Sequence, residues 1–98
     1  MRLRVNKKKI ADFCRRNGIK KLSWFGSVLT DKFRPDSDVD VLVEFEPGNE
    51  VGMIRMSALE RELSSLVGRK VDLRTPAELS RFIRSRVVAE SQVGYVAG

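Results

Sequence analysis

The sequence predicts an α/β chain: a small mixed β-sheet with helices packed on one face, in the order α-β-turn-β-α-β-α. Three observations predict it. Residues 38–45 (Asp-Val-Asp-Val-Leu-Val-Glu-Phe) alternate polar and apolar, the pattern of a strand with one face in a core. Residues 19–25 and 69–74 are two further short runs with strand character. Between the second and third runs, Met53, Met56, Leu59, Leu63, Leu66 and Val67 recur at helical spacing.

The elements follow in order. Asn6 is a helix cap, and Ile10, Phe13 and Cys14 give the first helix an apolar stripe before Gly18 stops it. Residues 19–25 form a strand. Gly26-Ser27 turns the chain, with Ser27 placed to cap a short helical turn. Residues 31–37 are a polar loop holding Pro35, and 38–45 form the second strand. Glu46-Pro47-Gly48-Asn49 is a turn. The second helix runs to Gly68, and residues 69–74 make the third strand. Pro76 fits the first turn of a third helix with Thr75 as its cap, and Leu79, Phe82, Ile83 and Val87 form its apolar stripe. The tail, with Val93, Tyr95 and Val96, reads as a frayed end or a contact strip.

Composition bounds the chemistry. The chain has 98 residues, enough for one domain spanning 1–98 and one modest core. It has no histidine, which excludes Ser-His-Asp triads, Cys-His pairs and histidine metal sites. The single cysteine, Cys14, excludes an internal disulfide and a multi-cysteine zinc site. Chemistry is left to carboxylates, hydroxyls, lysine, arginine or a bound metal. No apolar run follows Lys7-Lys8-Lys9 to make a signal core, and none is long enough to span a membrane, so a cytoplasmic location is expected. The net charge of +6 is uneven: residues 1–21 hold nine Lys or Arg against Asp12 alone. Such an arm suits an anionic partner, and a solvated helix surface accounts for it equally well.

The carboxylates are the most informative residues. Strand side chains two apart share a face, with Cα atoms about 6.5–7 Å apart. Val39, Val41, Val43 and Phe45 are apolar and take the core face. Asp38, Asp40, Leu42 and Glu44 take the other. Two like charges at that spacing repel each other, and a divalent cation relieves the repulsion. Mg²⁺ prefers hard oxygen ligands and often combines one or two carboxylates with phosphate oxygens. Asp72 lies between Val71 and Leu73. If its strand pairs with the second strand, it joins the same face. Asp-Ser-Asp is also ordinary loop chemistry, but a pair entering a Val-Leu-Val strand favours the metal-binding reading. Gly26 lets a ligand approach the backbone, and Ser27 offers a hydroxyl and N–H groups suited to phosphate. Lys32 and Arg34 in the next loop are candidate phosphate partners.

Gly26-Ser27, ten intervening residues and then Asp38-Val39-Asp40 have the form GS-x10-DxD. The stretch 25–45 resembles the signature of the minimal nucleotidyltransferases (MNT), in the polymerase-beta-like nucleotidyltransferase superfamily. The resemblance extends over nearly the whole chain, with Val71-Asp72-Leu73 in the place of the third carboxylate strand. It implies a polymerase-beta-like nucleotidyltransferase fold. It implies that Gly26 and Ser27 hold a nucleoside triphosphate, that Asp38 and Asp40 bind Mg²⁺, and that Asp72 helps bind a second ion and activates the attacking hydroxyl. Thr30 stands where many relatives carry arginine, leaving Lys32 and Arg34 to supply that charge. Chains of this size are similar to the antitoxin half of HEPN/MNT toxin–antitoxin modules, whose members transfer AMP from ATP to a tyrosine of the toxin. A HEPN-type toxin is therefore the implied partner, in a hetero-oligomer or beside a homodimer. The competing expectation is a binding antitoxin that neutralises its toxin by contact alone. Retention of all three carboxylates favours the enzyme. A nucleic-acid partner is not expected, because the seven aromatics fall mostly at core positions.

Overall fold

The computed structural model describes residues 1–98. Its elements are α1 (Lys7–Arg16), β1 (Ile19–Phe25), a 3₁₀ turn (Gly26–Leu29), β2 (Val39–Phe45), α2 (Met53–Val67), β3 (Val71–Arg74), a second 3₁₀ turn (Pro76–Glu78), α3 (Arg81–Glu90) and β4 (Gln92–Val96). The four strands form one sheet in the order β3-β2-β1-β4. β2 runs parallel to β3 and antiparallel to β1, and β4 is antiparallel to β1. The sheet is mixed, as the sequence predicts.

Local chemistry sets the ends of the helices. Asn6 Oδ1 accepts the Lys9 N–H at 3.1 Å and caps α1. Gly68, in the left-handed region, closes α2. The two helices pack on one face. Ile10, Phe13 and Cys14 from α1 and Leu59, Leu63 and Val67 from α2 meet Val39, Val41 and Val43 of β2 in a single core. Burial of each such side chain contributes about 1.5–3 kcal/mol, and this face supplies most of the stability. Burial also pushes the Cys14 thiol up to about 12.

Four expectations are corrected. The tail is not frayed. Residues 92–96 form the edge strand β4, and Tyr95 packs against the core. Gly94 makes this possible, because a Cβ there would sit 2.5 Å from Trp24 Nε1. The third helix does not begin at Pro76. Glu78 Oε1 accepts the Thr75 N–H at 3.1 Å and closes a separate 3₁₀ turn, Leu79 is extended, and Ser80 caps α3 by accepting the Phe82 N–H at 3.3 Å. Its apolar stripe is not core: α3 has no buried residue, and Phe82 is 83% exposed. In α2, Met53 also lies outside the core and is exposed. Leu42, on the carboxylate side of β2, is nevertheless buried between Ser23 of β1 and Arg74 of β3 in register.

The two edges of the sheet differ. On β3, the outward Val71 N–H donates to Ser64 Oγ at 3.0 Å and the Leu73 N–H to Glu60 Oε2 at 2.8 Å. Two side chains of α2 thus occupy the N–H donors that an incoming strand would need. β4 pairs with β1 on one side and has no side-chain caps on the other.

Candidate active site

The site is assembled by register. In the parallel pair β2–β3, Asp40 stands opposite Asp72, and in the antiparallel pair β1–β2 it stands opposite Phe25. Neighbouring strands lie about 4.8 Å apart, so Asp40 and Asp72 are side by side on one face. Asp38 precedes β2 and is exposed. Gly26 follows Phe25 directly, which brings the glycine turn against Asp40.

That contact is close. Gly26 has φ +76°, and a Cβ there would lie 2.3 Å from Asp40 Oδ2. Only glycine adopts this backbone without strain, and only glycine leaves the carboxylate its place. The turn is locked from its far end. Thr30 N–H and Thr30 Oγ1 both donate to the Ser27 carbonyl at 2.9 Å, and Thr30 Oγ1 accepts the Lys32 N–H at 3.1 Å. The hydroxyl that replaces the expected arginine is therefore occupied in shaping the loop.

Burial, with Asp72 and Asp38 beside it, pushes the Asp40 carboxyl above the usual carboxylate range, and Arg74 acts in the opposite direction. The three acids thus share one electrostatic environment. As placed, they form no closed set of three metal-ligating groups. Their all-oxygen, mutually repelling character fits a hard divalent cation that completes its shell with phosphate and water.

Three basic residues that the sequence reading passed over organise the surroundings. Arg74 Nη2 lies 3.2 Å from Asp72 Oδ2, and its Nη1 lies 3.9 Å from Glu78 Oε2. Lys70 Nζ is 3.9 Å from Asp38 Oδ2. Arg69 Nη2 donates to the Arg34 carbonyl at 2.6 Å and the Ser37 carbonyl at 2.8 Å, and its guanidinium lies 4.5 Å over the Phe33 ring. Arg69 therefore pins the loop that carries Asp38. The signal for Arg69 and Lys70 lay in the parallel register: pairing Val39 with Val71 sets the residues before one strand beside those before the other.

Two grooves flank the carboxylates. One, of about 580 Å³, runs between the glycine turn and α3 and is lined by Phe25, Gly26, Leu29, Thr30, Ile83 and Arg86 among others. Neither Lys32 nor Arg34 lines it. Both are exposed, and Arg86 is the guanidinium at this wall. The other groove, of about 520 Å³, opens beyond Asp72 toward the start of α2.

Comparison with known proteins agrees with this geometry. The family model described as "Nucleotidyltransferase domain" matches residues 7–93. The chain is 34% identical over 89 residues to the protein adenylyltransferase MntA of Thermococcus cleftensis, covering 90% of this chain and 84% of that protein. Among solved structures, a toxin–antitoxin with AMP-PNP superposes with a TM-score of 0.76 at 23% identity, over 95% of this chain and 75% of the other. A tri-AMPylated Shewanella oneidensis HEPN toxin in complex with MNT antitoxin gives a TM-score of 0.67 at 22% identity, over 93% of this chain and 70% of the other. At such identities the structural likeness speaks for the polymerase-beta-like fold. The family match over most of the sequence goes further: the chain belongs to the nucleotidyltransferase domain family and is a nucleotidyltransferase.

Proposed function

We propose that this chain is an Mg²⁺-dependent protein adenylyltransferase acting in the cytoplasm, and that residues 1–98 work as a single domain. It moves AMP from ATP to a tyrosine hydroxyl of a HEPN-type toxin and so serves as its antitoxin. The observation that carries the reading is the contact of Gly26 with Asp40, which in turn stands in register with Asp72. This arrangement joins a phosphate-binding turn to a carboxylate pair. The protein adenylyltransferase name of the Thermococcus relative supports the reaction, and the tri-AMPylated toxin in the Shewanella complex supports the acceptor.

Each residue has a task. Gly26 and Ser27 hold the triphosphate through backbone N–H groups and the Ser27 hydroxyl. Lys32 and Arg34 stand on the loop outside the groove beside the turn, so Arg86 at its wall is the guanidinium placed for the outer phosphates. Asp38, Asp40 and Asp72 would hold Mg²⁺, as a pair of ions, which would neutralise charge on the reacting phosphate. Asp72 faces the attacking hydroxyl and takes its proton. Labelled ATP and Mg²⁺ incubated with the chain and the protein encoded beside it test the reading. Label on a tyrosine of that partner is the expected result, and an unlabelled partner overturns it.

A further inference from the structure

In phosphoryl and nucleotidyl transfer the attacking and leaving oxygens lie roughly in line, on opposite sides of the phosphorus. A row of carboxylates that serves this chemistry therefore has a leaving end and an acceptor end. Strand order fixes which is which. Gly26 follows β1 and touches Asp40 on β2, whereas Asp72 lies on β3, on the far side of Asp40 from the turn. The glycine turn takes the triphosphate tail, so the acceptor arrives from the side of Asp72.

The second groove opens on that side. Asp72, Leu73 and Arg74 line it from β3, and Val51, Met53 and Met56 line it from the start of α2. Met53 is 88% exposed and the adjacent Ile54 is 90% exposed. Met53 continues the helical spacing of the core residues yet is left in solvent at the mouth of a groove whose wall holds a reacting carboxylate. Large apolar side chains so placed suit a macromolecular surface better than a small solute. Methionine in particular adapts its shape and packs well against aromatic rings.

We propose that this groove is the acceptor-docking site, receiving a protein segment that carries a tyrosine flanked by apolar side chains. Met53 and Ile54 grip the flanks while the tyrosine hydroxyl reaches Asp72. The inference rests on the adenylyl-transfer reading above and adds where the acceptor enters. In the transfer, the tyrosine oxygen bonds to the α-phosphorus of ATP. The bond from that phosphorus to the bridging oxygen breaks, and pyrophosphate leaves with the electron pair. The phenolic proton passes to the Asp72 carboxylate and then to water.

A second set of exposed apolar side chains, Phe82, Ile83 and Val88, lies on α3; of these only Ile83 lines the groove beside the glycine turn, and Phe82 stands outside both grooves. A hydroxyl entering beside the glycine turn would have to cross the departing pyrophosphate, so this set serves as the control.

Met53→Asp and Phe82→Asp are compared with wild type for AMP transfer to a HEPN-type toxin, the partner proposed above. ATP affinity is measured by calorimetry and folding by thermal melting. Met53→Asp is expected to lower kcat/KM for the partner about tenfold or more, the loss typical of an interface anchor, with ATP affinity and melting unchanged. Met53→Leu should restore transfer, and Phe82→Asp should retain it. Full transfer by Met53→Asp overturns the docking site and leaves the reaction standing, as does loss of transfer by Phe82→Asp alone. A wild-type protein that binds ATP but never labels the partner overturns the reaction itself, and the docking site with it.

Discussion

Along β2, Val39, Val41 and Val43 point into the core while Asp40 and Glu44 point away from it, so one strand serves two faces of opposite character. The helix-covered face is dry, close-packed and free of charge. The other face gathers Asp40 and Asp72 at neighbouring positions, with Asp38 at its entrance and Arg74 beside them. The first face lowers the free energy of the fold. The second raises it, because three acids repel one another until a cation or the guanidinium of Arg74 intervenes. The difference teaches that stability and chemistry are separated by the thickness of a single sheet, and that each can be altered with little effect on the other.

The sharpest test of that separation removes a charge without changing shape. Asp38→Asn or Asp40→Asn should abolish transfer nearly completely while the fold stays intact, as read by labelled-AMP transfer and circular dichroism. For Asp40 the stability effect has a definite sign. Its carboxyl is raised above the usual range, so the folded state holds that proton more tightly than the unfolded chain does. Its contribution favours folding below the ordinary carboxylate pKa and is lost as pH rises through the raised value. Asp40→Asn should therefore melt higher than wild type at neutral pH without metal, and the gap should close in acid. A variant that melts lower at neutral pH would break the comparison.

The opposite experiment cuts into the dry face. Leu63 is fully buried, and Leu63→Ala should cost about 2–5 kcal/mol. Each kcal/mol lowers the melting temperature of a domain this size by roughly 4–8 °C. At a temperature where the variant remains folded, its ATP affinity should match wild type. Loss of affinity there would mean that the two faces are coupled.

Gly26→Ala tests the seam between them. The new methyl would press on Asp40 Oδ2 and force a left-handed backbone on alanine, a strain of about 1–3 kcal/mol. Transfer should fall much further than stability does, because the carboxylate itself is displaced. Equal losses in both would show that the turn is only structural.

The smallest effect belongs to Cys14, which is fully buried with its thiol pushed up to about 12. A maleimide or disulfide reagent should leave it untouched in the native protein and label it fully in denaturant. Labelling under native conditions would mean that the dry face opens readily.

The parts of this molecule that were legible in advance are those where one strand carries two strong signals at once. The alternation in 38–45 set both the core face and the carboxylate face, and the register of β3 then placed Asp72 as its flanking Val71 and Leu73 suggested. Other parts were hidden for physical reasons. β4 has a glycine at its centre, whose value lies in the close approach of Trp24 and Leu22. The stripe on α3 and Met53 on α2 follow helical periodicity, but periodicity reports that apolar residues share a face and not whether anything covers it. Arg69 and Lys70 act through partners distant in sequence, and Arg74 and Arg86 gain importance only from where the fold sets them, beside the carboxylates and at the groove wall, so composition alone gave them no role.

The capped edge of β3 has a consequence for assembly. A sheet that can accept strands on both sides can grow without limit, which is the geometry of fibres. Here Ser64 and Glu60 occupy the outward N–H groups of β3, leaving β4 as the only side that can accept a strand. Two copies joined through β4 would present, at each end of the combined sheet, a border whose outward N–H donors are already occupied. Association by strand addition therefore terminates at a pair rather than growing into a fibre.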